Sequence, residues 1–391
     1  MTSTIQRFLA DIHALRPRIE RGAAEMEKAR QLPADVVEGM KEAGVFRMFV
    51  PKAHGGFELS PPDAVQAVTA LSRLDGSVGW IAAIGGGVGL AASLVSRDLY
   101  NRIYGEGPDV IIAGSTQPGG TAEKVAGGWR VNGRWPFASG CRHAEWYMGF
   151  CAMSEGGKPL PGAVPGMPLV RGIVLPAGAW EIEDTWHVPG MKGTGSHHVQ
   201  VRDAFAPETN IFDFEHSESC VPGPLYKVAK AVFPLMQGAV SLGIAEGALD
   251  DVVALVKAGR QARWTSAPMR ESELFLRELG GIQADLRAAR ALLERDAEAV
   301  WRLALDGTPV GEPHLAQGVQ TATWVIATSR RAADACFAAG GSQALYEPSP
   351  LQRRMRDIHV AAQHAMIQPR QYVRAGAALL KDAEKDVNVS A

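Results

Sequence analysis

The hydrophobic pattern changes its period twice along this 391-residue chain, and only a fold built in three successive zones can accommodate that. From Ile5 to about Tyr104 apolar residues recur at three- and four-residue steps, as in FLADIHALRPRIERGAAEMEKAR, which predicts helices. LPADVVEGMKEAGVFRM predicts a helix that opens at Pro33 and stops at Gly44, and Ser60-Pro61-Pro62 leads into another. From about Pro108 to Asp213 the runs shorten. VIIAGST, GWRVNGRW, EWYMGFCAM, RGIVLP and HHVQVRDAF alternate with Gly- and Pro-rich turns, the pattern of an antiparallel sandwich or barrel. Within it VAGGWRVNGRWPF predicts a hairpin with Asn132-Gly133 as its tight turn. From about Leu225 to Lys381 long amphipathic segments return and predict a helical bundle, one able to extend into neighbouring subunits. The expected fold is mainly α with a central β domain, divided at 1–107, 108–214 and 215–391.

Composition narrows the function. Forty basic and 42 acidic residues leave a formal charge of −2 with no basic block, so a nucleic-acid partner has no electrostatic support. Cys141, Cys151, Cys220 and Cys336 form no CxxC pair and read as reduced, mostly buried thiols. The first residues are interrupted by charges and lack a signal-peptide run, so a cytoplasmic location is expected. SVGWIAAIGGGVGLAASLVS, Ser77 to Ser96, carries no charge and approaches the length of a membrane span. Its glycines, Gly85, Gly86, Gly87 and Gly89, predict instead a helix buried in protein, where they permit close packing or leave room for a ligand. No membrane partner is expected.

Several chemistries are excluded. GGGVGL lies inside a helical apolar run rather than after a strand, so it is no dinucleotide fingerprint. There is no Walker A sequence, no HExxH and no GxSxG. His359 and His364 are five residues apart, and His197 and His198 are adjacent on a predicted strand. Neither pair shares a face, and no metal site is expected.

Four stretches in order along the chain resemble the acyl-CoA dehydrogenase superfamily. GSTQPGG at 114–120 is similar to its TEPGAGS loop, with Gln117 where glutamate is usual, and NGRWPFASG at 132–140 to its NGxKxWITN strand. DTWHVPGMKGTGSHHVQVRDAFAP and GGSQALYEPSPLQRRMRD resemble two further segments. The resemblance implies an N-terminal helical domain, a β-sandwich or barrel and a C-terminal four-helix bundle, with a flavin between the last two. It places Ser115, Thr116, Gln117 and Gly140 at the flavin and Ser139 where a hydroxyl bonds flavin N5. The plainer reading of Ser139 is a turn serine satisfying its own backbone. Arg263 resembles an arginine that reaches a flavin phosphate from a neighbouring subunit, and Gly340 and Gly341 the loop that receives the distal part of the cofactor. These contacts imply a homotetramer, or at least a dimer.

A dehydrogenase of this family needs a carboxylate to take an α-proton, held in one of two places. Alignment of RDIHVAAQHA puts Ala365 at the first, beside His364, and the second falls near Phe233. Neither is acidic. The chain in this respect resembles the oxygenase components of two-component flavin monooxygenases. These take reduced flavin, FMNH2 or FADH2, from a separate NAD(P)H-dependent reductase, react it with O2, and hydroxylate an aromatic substrate through a C4a-hydroperoxyflavin. His364 would then protonate or hydrogen-bond the flavin peroxide, a task suited to near-neutral titration; taken alone it would read as a core histidine on a helix face. Trp80 would stack on the substrate or serve as core. Val88 stands where phenol-hydroxylating relatives carry a histidine, and the glycines before it would widen the cavity. The expected substrate is indole-like, fused-ring or phenolic, with the larger rings favoured. Two alternatives stay open: an acyl-CoA dehydrogenase whose base lies elsewhere, and a flavin-binding protein without catalysis.

Overall fold

The computed structural model describes residues 4–259 and 268–387. The chain divides into two compact units. The first comprises the described parts of Met1–Leu59 with Ile81–Val188 and Lys192–Ala229, and the second Ser60–Trp80, Pro189–Met191 and the described parts of Lys230–Ala391.

The first unit is built around a sheet. Among the described residues nine strands form it: β1 (Ile112–Gly114), β2 (Gly120–Val125), β3 (Gly128–Ala138), β4 (Trp146–Glu155), β5 (Lys158–Pro159), β6 (Val170–Pro176), β7 (Glu181–Glu183), β8 (His197–Pro207) and β9 (Ile211–Phe212). The order is β7-β8-β3-β2-β4-β6-β9, with β1 and β5 also on β4. Most pairs are antiparallel, but β1 and β2 each run parallel to β4. Alternate residues of these strands point into one core, where Trp135, Tyr147, Ile173, Val199 and Val201 are buried.

The hairpin expected between β2 and β3 is present, but its turn is not Asn132-Gly133. Val125 pairs with Gly128, so Ala126-Gly127 makes the two-residue turn, with Gly127 at φ +78°. Asn132 lies inside β3. Its side-chain oxygen accepts from the backbone N–H of Asp203 at 2.8 Å, where the register of β3 against β8 shifts. The dipeptide marks a bulge, not a reversal.

The helix Ala34–Ala43 starts after Pro33 and ends at Gly44, φ +84°, as its sequence predicts. The uncharged stretch forms the helix Gly76–Ala91 and the short turn that follows it, and 78% of its most apolar window is buried inside the protein. Its glycines serve packing: a Cβ at Gly79 would lie 1.8 Å from Ser72 Oγ, and one at Gly85 or Gly86 would lie 3.3 Å from Phe46 or Phe49. All four cysteines are free, and Cys141, Cys151 and Cys336 are buried.

The second unit is helical, with the long helices Ala229–Lys257, Glu273–Leu305 and Glu312–Gly340. The shorter helix Pro350–Ala361 is fastened to them by its RRMRD sequence. Arg354 is buried. Its Nε donates to Asp251 at 2.6 Å and its Nη2 to the Leu74 carbonyl at 3.4 Å, over Gly247, where any Cβ would overlap the guanidinium. Arg353 pairs with Asp75 at 3.5 Å, Arg356 donates to the Pro189 carbonyl, and Asp357 accepts from the Met191 N–H at 2.5 Å. Removing one member of a buried pair strands the other. Arg354→Leu should therefore lower unfolding stability by about 3 kcal/mol in urea titrations, whereas a loss below about 1 kcal/mol would show that packing alone holds this helix.

Candidate functional site

In the second unit His364 gathers aromatic neighbours. The helix Pro350–Ala361 stops before it, so His364 does not lie on the helix face that its sequence context suggests. It caps the short turn Ala365–Ile367, and its Nδ1 accepts from the Met366 N–H at 3.4 Å. An Nδ1 that accepts places the single proton of the neutral ring on Nε2. The Trp80 ring lies edge-on at 5.8 Å and the Phe233 ring at 6.2 Å. Burial among them pulls the pKa of His364 down to about 4. The near-neutral titration expected for this residue is corrected accordingly: at physiological pH it offers an N–H hydrogen bond, not an exchangeable charge. Ala365, which the resemblance aligns with a family glutamate, is exposed and contributes a methyl group. The remaining histidine of the segment, His359, pairs with Asp334 at 2.8 Å.

In the first unit the site is a chain of hydroxyls. Ser139 Oγ lies 2.7 Å from Ser196 Oγ, which lies 2.7 Å from Thr194 Oγ1, and all three residues are buried. Gly140, at φ +74°, turns its N–H onto the Thr194 carbonyl at 2.8 Å and so ties the end of β3 to this loop. Ser139 is thus no isolated turn serine. Because each hydroxyl can donate or accept, it can take a bond from an N–H while passing its own proton toward Ser196. Beside it Phe137 sits in the bulge between Trp135 and Ala138 at φ +64° and is 56% exposed. Its ring meets those of Trp186 and His198 edge-on at 6.4 and 6.5 Å. A strained, exposed aromatic next to neutral hydroxyls fits a flat heteroaromatic group carrying N–H and C=O edges, such as a flavin. His197 is pinned by the N–H groups of Thr185 and Trp186, both at 3.2 Å. Burial raises the Cys141 thiol to about 11, so it is no nucleophile at neutral pH.

The other expected residues are placed as follows. Ser115 donates its N–H to the Met148 carbonyl, and Thr116 and Gln117 are exposed on the loop beyond it. Val88 packs near Gly114, whose Cβ would lie 3.4 Å from it, and belongs to the first unit, whereas Trp80 belongs to the second. Gly340 is needed for packing, since a Cβ there would lie 2.7 Å from both Ala344 and Leu351, and Gly341 takes φ +53°. Arg263 lies outside the described residues. Of the glycines before Val88, Gly85 lies against Phe46 and Gly86 against Phe49 and Met48, while Gly89, after it, lies under Tyr104. No cluster of three or more His, Cys, Asp or Glu suited to a metal occurs among the described residues.

Residues 6–97 match the family model described as acyl-CoA dehydrogenase, N-terminal domain, and residues 235–369 the one described as acyl-CoA dehydrogenase, C-terminal domain. The chain is 31% identical to the indole-3-acetate monooxygenase of Pseudomonas putida over 95% of its own length and 92% of that protein's. It belongs to the flavin-dependent monooxygenase branch of the acyl-CoA dehydrogenase superfamily. The monooxygenase is also 30% identical to the FADH(2)-dependent resorcinol hydroxylase, oxygenase component, of Rhizobium sp. (strain MTP-10005), over 88% of this chain and 86% of that one. Among solved structures, XiaF from Streptomyces sp. in complex with FADH2 and glycerol superposes with a TM-score of 0.90 at 26% identity, covering 96% of each chain.

Sequence reasoning missed Thr194, Ser196 and Phe137. GTGS, Gly193 to Ser196, carried a signal for the first two: hydroxyls held among glycines in a motif already quoted. The titration of His364 is testable through stability. Its folded pKa of about 4 lies below the unfolded value near 6.5, so the unfolded chain takes the proton first as pH falls. This contribution is complete above pH 6.5 and lost toward pH 4, by at most about 3 kcal/mol. His364→Gln should therefore lose less stability than wild type between pH 7 and pH 4.5 in urea titrations. Equal losses would contradict the depressed pKa.

Proposed function

We propose that this monooxygenase is the oxygenase component of a two-component system. In this reading it takes reduced flavin from a separate reductase and hydroxylates an aromatic substrate through the C4a-oxygen adduct expected from the sequence. One observation carries the reading. Phe233, near one of the two places where a dehydrogenase keeps its carboxylate, has its ring 6.2 Å from that of His364, and Ala365, at the other, is the next residue. Both places adjoin the same imidazole and neither can take a proton from a thioester substrate.

Reduced flavin, when bound, supplies the two electrons that activate O2. The chain's own groups have narrower tasks. Ser139, backed by Ser196 and Thr194, would accept from flavin N5–H, and Thr116 and Gln117, with Gly140 and Gly341, would contact the cofactor. His364 would aim its Nε2–H at oxygen near the reacting carbon, held in line by Trp80 and Phe233. Those apolar rings also keep water from the site, which suits chemistry whose side reaction is release of H2O2. The named relatives act on indole-3-acetate and resorcinol, which supports an aromatic substrate and keeps a phenol within the reading. The larger rings favoured by the glycines before Val88 stay within it as well. Exposed Trp324, Tyr372 and Leu379 on the helical unit support self-association, up to the tetramer.

The test is to supply reduced FMN or FADH2, O2 and a panel of aromatics, and to measure product against H2O2. Ser139→Ala should raise the H2O2 fraction severalfold. His364→Ala should cut kcat for hydroxylation by about 10²-fold, the scale for losing one placed hydrogen bond. Desaturation of an acyl-CoA would overturn the reading in favour of a dehydrogenase, and absence of any reduced-flavin binding would favour a non-catalytic protein.

A further inference from the structure

Gln237 is fully buried in the helix Ala229–Lys257, and neither its amide oxygen nor its amide nitrogen has a hydrogen-bond partner among the described residues. A buried amide in that state is costly, because water would satisfy both groups in the unfolded chain. Packing does not require it, since methionine or leucine would fill a similar volume without polar atoms. Helix geometry says where it points. Gln237 follows Phe233 by one turn and so shares its face, and Phe233 is the ring that meets His364. Ile244, seven residues further on the same stripe, lies 3.1 Å from where a Cβ of Gly76 would stand, at the start of the helix that carries Trp80. Gly238, by contrast, looks toward Leu293 and Ala322. The unpaired amide therefore lies on the stripe that faces Trp80 and His364.

We propose that Gln237 is a specificity-determining residue, its amide hydrogen-bonding a neutral oxygen-bearing group, hydroxyl or carbonyl, on the aromatic substrate. This rests on the aromatic-hydroxylation reading above. An uncharged amide cannot compensate a carboxylate, so a neutral group is the better match. A hydroxyl suits it from either side, donating to Oε1 or accepting from Nε2. A ring without oxygen would leave the amide unpaired, which is how a site built around a hydrogen bond rejects an apolar isostere.

The probes are 2-naphthol and naphthalene, two rings of one shape that differ by a hydroxyl. Binding is measured by anaerobic equilibrium dialysis with reduced FMN or FADH2 present, on wild type and Gln237→Met. Wild type should hold 2-naphthol at least about tenfold more tightly, the scale of one hydrogen bond. Gln237→Met should erase that preference and melt no lower than wild type. Should the methionine variant not fold, Gln237→Leu takes its place with the same expectation. A variant that keeps the preference, a wild type that has none or binds neither probe, or a lowered melting temperature in both variants would each overturn the role. Because dialysis involves no O2, a Gln237-dependent preference in a protein that never forms hydroxylated product would count against monooxygenation alone.

Discussion

The second unit depends on one buried cation. Arg354 can occupy the interior only because Asp251 neutralises it, the Leu74 carbonyl accepts from it, and Gly247 leaves it room. Such an arrangement is specific rather than merely stabilising: an apolar residue of similar volume could pack there, but it would not fix rotation and register along the helix Pro350–Ala361. With Arg353 on Asp75 and Asp357 on the Met191 N–H, the helix is held on several sides. Three residues past its end stands His364, and its direction is inherited from that clamp.

What the clamp presents is an imidazole in apolar company. Trp80 meets it edge-on, Phe233 lies tilted to it, and the Met366 N–H occupies Nδ1. A carboxylate in the same setting would be poorly solvated and would pick up a proton, whereas a neutral histidine is stable there and keeps one N–H to offer. The hydroxyls of Ser139, Ser196 and Thr194 in the first unit obey the same logic. They are neutral, buried, and able to reverse donor and acceptor roles without moving charge. Each unit, taken by itself, thus offers neutral hydrogen-bonding groups rather than a charge.

Much of this was legible in the chain because hydrophobic period is a local property. The helical, β and helical zones and the stop at Gly44 follow from neighbouring residues. What failed depended on distant partners. Asn132-Gly133 has turn chemistry, but the turn went to Ala126-Gly127 because β3 continues to pair with β8 through the dipeptide. The side chains that meet Gly85 and Gly86, Phe46 and Phe49, come from far away in sequence and could not be read from the local run. The pKa of His364 could not be read at all, since burial is decided by tertiary packing. Phe137, Ser196 and Gln237 stayed unremarked for the same reason: exposure, hydroxyl contacts and lack of a partner exist only in three dimensions.

The central claim is that a neutral, Nε2-protonated imidazole stands beside Ala365 and Phe233, the places where the family resemblance leads one to expect a carboxylate base. Nitrogen-15 NMR of histidine-labelled protein addresses it directly, with His364→Gln identifying the resonances. The account predicts a ring in the Nε2–H tautomer whose shifts stay constant from pH 8 down to pH 5. A ring that titrates near pH 6.5, or one protonated at Nδ1, would contradict it.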